Sequence, residues 1–161
     1  MPLTSLPSFL VAAKAATYAA EKPVTLEPTF SGSHEFRFTK GNLHYRDIYF
    51  GSLHFAGQEI VEDESRAIWS MVYLGGILQN GTAHNADNED DNATEIYRFL
   101  KLALRKASPD APYRGPASFE AGEYRYTNQF TGDITNFNGK ETIYAGQLPV
   151  YRLHYSGGYL Q

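Results

Sequence analysis

Cysteine is absent from this 161-residue chain, and with it go disulfides, thiolate metal sites and thiol nucleophiles. No apolar run approaches the ~20 residues that a membrane-spanning helix needs. A Gly-x-Ser-x-Gly elbow, a phosphate loop and a dinucleotide fingerprint are all missing, which removes the commonest hydrolase and nucleotide-binding readings. A basic excess is missing as well: the net charge is -4, and Lys and Arg are scattered rather than grouped, so no nucleic-acid surface is expected. The apolar stretch from Phe9 to Ala20 is not a secretory leader, because no Lys or Arg precedes it and Lys14 interrupts it. It is read as a helix, and the chain as cytoplasmic. The Asn80 and Asn92 sequons then carry no meaning.

What the chain has in quantity is aromatic: 12 Tyr and 10 Phe, beside a single Trp. That load suits strands and aromatic-lined cavities better than a helical bundle. It is also ordered. Offset by 81, Gly41, Tyr45, Tyr49 and Gly51 fall on Gly122, Tyr126, Phe130 and Gly132. Offset by 82, the series Phe55, Gly57, Glu59, Val61, Trp69, Met71, Tyr73, Gly75 and Gly76 falls on Phe137, Gly139, Glu141, Ile143, Tyr151, Leu153, Tyr155, Gly157 and Gly158. Shared Glu, Tyr and paired glycines at fixed spacing exceed what two unrelated meanders would have in common, so the chain reads as internally duplicated.

Apolar positions Phe9, Leu10, Ala13, Ala16 and Ala20 recur at helical spacing, and alternation then predicts strands near 35–40, 42–50, 53–62 and 67–74. Residues 79–91 break the pattern as a mobile acidic loop. An EF-hand reading on Asp87, Glu89 and Asp91 is set aside, since its central glycine and distal Glu are absent. Asn92 to Glu95 reads as a capping box opening a second helix, with Ile96, Phe99, Leu100, Ala103 and Leu104 inward. Four strands follow near 116–120, 122–130, 133–144 and 149–156, and the Gly-Gly pairs are read as turns or bulges. The expectation is one α+β domain, residues 1–161. Two helix-plus-antiparallel-meander units, about 5–78 and 92–160, are related by a pseudo-twofold, and two helices cover the antiparallel sheet.

Period two assigns faces. Tyr45, Asp47, Glu59, Trp69 and Tyr73 share one face in the first unit, and Tyr126, Asn128, Glu141 and Tyr155 are their partners in the second. His44, Arg46, Gln58, Arg125, Lys140 and His154 fall on the solvent side. Carboxylates among aromatic rings cost several kcal/mol unless paired, hydrogen-bonded or protonated. These nine residues are therefore the candidate ligand-binding set, a polar-bottomed aromatic pocket in which Glu59 favours a cation. No metal or cofactor is expected.

Tyr45-Arg-Asp-Ile-Tyr49, Phe55-Ala-Gly-Gln-Glu59, Ile68-Trp-Ser-Met-Val-Tyr73, Asp110-Ala-Pro-Tyr-Arg-Gly-Pro116 and Tyr155-Ser-Gly-Gly158 give the chain its resemblance to a family of uncharacterised bacterial domains. That family is found alone or behind an Xre-type helix-turn-helix in transcriptional regulators. The resemblance implies a sensing half, and it carries no catalytic residues over. The function expected is small-molecule binding without catalysis, with no direct nucleic-acid or membrane contact and a homodimer left open. A structural or protein-interaction domain with a fully packed aromatic core is the alternative. A hydrolase or isomerase using Asp47 and Glu59 is the second.

Overall fold

Alternation of apolar and polar residues drives almost everything that folds here. The computed structural model describes residues 5–79 and 86–161, with the side chains of Ser5 and of 86–90 left aside. After helix α1 (Ser5–Ala16) come β1 (Ser33–Lys40), β2 (Leu43–Gly51), β3 (His54–Asp63) and β4 (Arg66–Ile77). Helix α2 (Ala86–Leu104) leads into β5 (Ser118–Ala121), β6 (Tyr124–Asp133), β7 (Asn136–Ala145) and β8 (Leu148–Tyr159). All eight strands form one antiparallel sheet in the order β1-β2-β3-β4-β8-β7-β6-β5.

The two meanders use the same registers. Asp47 faces Glu59 across β2 and β3, as Asn128 faces Glu141 across β6 and β7. Gly57 faces Tyr73, as Gly139 faces Tyr155. Each meander has a bulge at the matching place, after Val61 and after Ile143. They join along β4 and β8, where Tyr73 stands directly opposite Tyr155.

The α+β expectation of two helices covering the sheet is corrected. Strands about 4.8 Å apart make an eight-stranded sheet roughly 35 Å wide, whereas a helix with its side chains is about 10 Å across. Two helices of 12 and 19 residues cannot cover such a surface. The fold is sheet-dominated: one eight-stranded sheet with two short helices on part of one face. α1 packs on β1 and β2, and α2 on β6, where Phe99 meets Tyr124 and, on neighbouring β5, Phe119.

Three local expectations also change. The Gly-Gly pairs are neither turns nor bulges: β4 runs through Gly75-Gly76 to Ile77, and β8 through Gly157-Gly158 to Tyr159, in unbroken register with each other. A side chain at Gly75 would run into the backbone of Arg152 and Leu153, so glycine is what lets the two central strands meet. α2 begins at Ala86, before the expected capping box, which puts the acidic run at the helix N-terminus, where the helix dipole tolerates negative charge. The rest of the expected acidic loop, residues 80–85, lies outside the described residues.

The face assignment agrees with the fold. Trp69, Met71, Val61, Tyr126, Ile143, Tyr151 and Leu153 are fully buried with Leu6, Leu10 and Leu100 of the helices. His44, His54, Gln58, Lys140 and His154 are exposed on the other side, with Val72 and Leu74 at 51% and 53%. Arg46 and Arg125 differ by being half-buried, Arg125 lying over the Tyr144 ring. The 24–31 segment folds over β1 and buries Glu35, whose carboxylate accepts from Thr29 N at 2.8 Å and from Arg46 Nη2 at 2.9 Å. Among the described residues no helix is long and apolar enough to cross a membrane.

Candidate functional site

Because the helices cover so little of the sheet, the inner face is closed differently at its two ends. Over β2, β3 and β4 there is a cavity of about 550 Å³. Its walls are Tyr18 after α1, Tyr49 and Phe55 on the sheet, and Tyr97 and Leu104 of α2. Its base carries Lys14, Tyr45, Asp47, Glu59, Tyr73 and Arg114. Tyr97 also ties α2 to the β2–β3 turn, its hydroxyl donating to the carbonyls of Ser52 and Leu53 at 2.8 and 3.0 Å. The aromatic walls meet edge to face: Tyr18 on Tyr49 at 6.3 Å between ring centroids, Tyr49 on Phe55 at 6.1 Å, and Phe55 on Tyr73 at 6.0 Å.

The base is assembled from pairs that the sheet register brings together. Lys14 reaches inward from α1, its Nζ 2.9 Å from Glu59 Oε2, and it also donates to the Tyr113 carbonyl. Burial pulls the Lys14 pKa below its ordinary value, against the opposing pull of the Glu59 charge. The Tyr73 ring crosses β3 over Gly57, where a side chain would collide with it, and the hydroxyl donates to Asp47 Oδ1 at 2.6 Å on β2. Among the described residues Asp47 has no ion-pair partner. Burial, with the Glu59 charge added, pushes its carboxyl up to about 7, and the Tyr73 hydrogen bond and Lys14 only partly offset this.

The equivalent place over β6, β7 and β8 is filled by the chain itself. Tyr113, in the segment after α2, stacks on Phe137 at 4.0 Å between centroids. Arg114 drives its guanidinium onto Glu141, Nη2 to Oε1 at 2.6 Å. The same carboxylate accepts from the hydroxyls of Tyr126 at 2.6 Å and Tyr151 at 2.9 Å. Burial opposes the Arg114 charge, and Glu141 outweighs it, so its pKa rises well above the ordinary value. Gly115 completes the plug, its N–H donating to Tyr126 at 2.9 Å and its carbonyl accepting from Asn128 Nδ2 at 3.0 Å. Tyr155 donates to Asn128 Oδ1 at 2.8 Å, repeating the Tyr73–Asp47 bond with a neutral acceptor.

A family model matches residues 47–160 of the chain. The chain belongs to DUF5680, a domain of unknown function. No curated protein and no solved structure matches it. The DUF5680 match takes in Asp47, Glu59, Tyr73, Arg114 and Glu141, whereas α1 and its Lys14 precede it.

The nine candidate residues of this DUF5680 chain therefore divide. Tyr45, Asp47, Glu59 and Tyr73 line the cavity. Trp69 is wholly buried beside them and stacks on Phe137. Tyr126, Asn128, Glu141 and Tyr155 hold the Tyr113–Gly115 plug or the bonds beneath it. The charged pair that sequence reasoning missed is Lys14 and Arg114. Lys14 stands four residues after Leu10 on the apolar stripe of α1, a signal that a cation points inward. Arg114 lies in a Pro-rich segment without periodicity, where no pattern says which way a side chain points.

Proposed function

We propose that this DUF5680 chain is a small-molecule binding and sensing domain without catalysis, and that its ligand occupies the cavity between α1, α2 and strands β2–β4. The observation that carries this is the cavity itself: about 550 Å³, within the range of ligand sites, with aromatic walls and a few buried polar groups converging at its base. A domain that served only structure or protein interaction would be expected to fill that space, as the Tyr113–Gly115 plug fills the other half. The family resemblance suits the reading, since a cytoplasmic sensing half beside an Xre-type helix-turn-helix needs a ligand site and no nucleic-acid contact of its own.

The test is a thermal-shift screen of small aromatic amines, alcohols and carboxylates, run on the wild type and on Ala93→Phe. Ala93 lines the cavity from α2, so a phenyl ring there would occupy the ligand's space. A ligand at 100 times its Kd stabilises by about 2.7 kcal/mol, several degrees for a domain of this size. Saturable shifts that Ala93→Phe removes are expected. Shifts untouched by that substitution, or a screen with none at all, would overturn the reading.

A further inference from the structure

Building on the proposed ligand site, we infer that Asp47 is the group that reads the ligand, and that the ligand is an organic cation, a protonated amine carried on an apolar or aromatic body. The sequence pointed to Glu59 for this role, but the structure gives Glu59 its own cation, Lys14, at 2.9 Å. Glu141 likewise has Arg114 at 2.6 Å. Asp47 is 4% exposed, lines the cavity and has Tyr73 as its hydrogen-bond partner, with no ion pair of its own among the described residues.

The comparison between halves says that this charge is not required by the fold. Asn128 stands where Asp47 stands, in the same register, and accepts the same tyrosine hydrogen bond. The tyrosine bond needs only an acceptor, and the donor that Asn128 adds goes to the Gly115 carbonyl of the plug. A buried carboxylate there adds a desolvation cost that packing does not demand, and a cationic ligand would offset it. The walls fit as well: Tyr18, Tyr49, Phe55 and Tyr97 line the same space, an aromatic surface against which the apolar or aromatic body of an amine can pack.

The charged and titratable groups facing Asp47 are Lys14 from α1, Tyr45 and Tyr49 from β2 itself, Glu59 from β3, Tyr73 from β4 and Arg114 from the plug, with His34 and Lys101 elsewhere on the cavity wall. Lys14 and Arg114 are held by their own carboxylates. Lys101 lies over the Tyr18 ring, 5.2 Å from its centroid. Near pH 6 the Asp47 carboxyl is largely protonated. A bound ammonium stabilises the carboxylate form, so binding expels a proton to solvent and the amine's affinity rises with pH until the carboxyl is fully ionised.

Titration calorimetry on the whole chain at pH 6 tests this with 2-phenylethylamine, 3-phenyl-1-propanol and 3-phenylpropanoate, each in phosphate and in a buffer of larger ionisation enthalpy. The amine should bind at least about tenfold tighter than the alcohol, a gap of about 1.4 kcal/mol, with the carboxylate weakest. Amine binding should release most of one proton, whereas alcohol binding should release none. Asp47→Asn, which keeps the acceptor for Tyr73, should erase both the preference and the proton release. Proton release by the wild type reads the inference even if the variant fails to fold. If the amine binds without releasing a proton, or the carboxylate binds best, Asp47 is not the reader. If the alcohol binds, Ala93→Phe blocks it and no amine preference exists, the ligand site stands and the cation inference falls. If none of the three binds the wild type, the cation inference falls with them, and the screen on Ala93→Phe decides the site.

Discussion

The two meanders place equivalent side chains in equivalent registers, yet one encloses a cavity and the other a plug. Over β5–β8, Arg114 and Tyr113 occupy the inner face, and Glu141 is bound by three donors at 2.6–2.9 Å. Over β1–β4, Lys14 meets Glu59 from the side, and open space remains above Asp47 and Tyr73. The strands are not the source of the difference. It comes from segments that the two halves do not share: α1 in one case, the stretch after α2 in the other. The sheet fixes where polar groups stand, and the connecting segments decide whether anything covers them.

The largest test of that contrast is Arg114→Ala. It strips Glu141, which is wholly buried and outside the cavity lining, of its cation, and should cost about 3–5 kcal/mol in urea unfolding. Lys14→Ala removes the matching cation, but Glu59 borders a cavity that water can enter, so the loss should be clearly smaller, roughly 1–3 kcal/mol. Equal losses would mean that the cavity does not distinguish the halves energetically.

Next in size is the pH response. The folded pKa of Asp47 lies above its ordinary value, so the native state holds its proton to higher pH than the unfolded chain does. Stability present in acid is therefore lost as pH rises from about 4 to about 7, on the order of 2–4 kcal/mol for a fully buried group. Asp47→Asn should lack this loss and be the more stable protein at pH 8. A variant with the wild-type slope between pH 4 and 7 would show that Asp47 is not the group titrating.

The shared scaffold can be checked with Gly57→Ala and Gly139→Ala. Each places a methyl group against the ring of the tyrosine that crosses it, Tyr73 or Tyr155. Overpacking of this kind costs about 1–3 kcal/mol, and the two losses should agree within about 0.5 kcal/mol if the halves are built alike. The smallest effect belongs to the outer face. Val72→Thr on exposed β4 should change stability by no more than about 0.5 kcal/mol, and a larger loss would show that this face is covered in solution.

Strands and faces were legible in the sequence because period two is imposed by burial on one side, and the middle of the inner face is buried in every central strand. The nine candidates were found on that face, and their division between cavity and plug was not. That division depends on Arg114, whose direction is set by Glu141, 27 residues further along the chain. The Gly-Gly pairs misled for a related reason. Glycine signals a turn when only local conformation is considered, and here it signals close approach to a strand about 80 residues away, as Gly75 meets Leu153. The share of the sheet left uncovered could have been foreseen from eight strands and two helices, by width alone.

The sole tryptophan is placed to report on these questions without any substitution. Trp69 belongs to β4, is wholly buried and stacks on Phe137 of β7 at 5.8 Å between centroids. The pair bridges the two meanders, and Trp69 lies outside the cavity lining. Its emission should therefore be blue in the native protein and shift red only when the meanders part, whereas a ligand in the cavity should leave it nearly unchanged. Fluorescence from this one indole is a gauge of whether the central strands remain together, independent of any assay for the site.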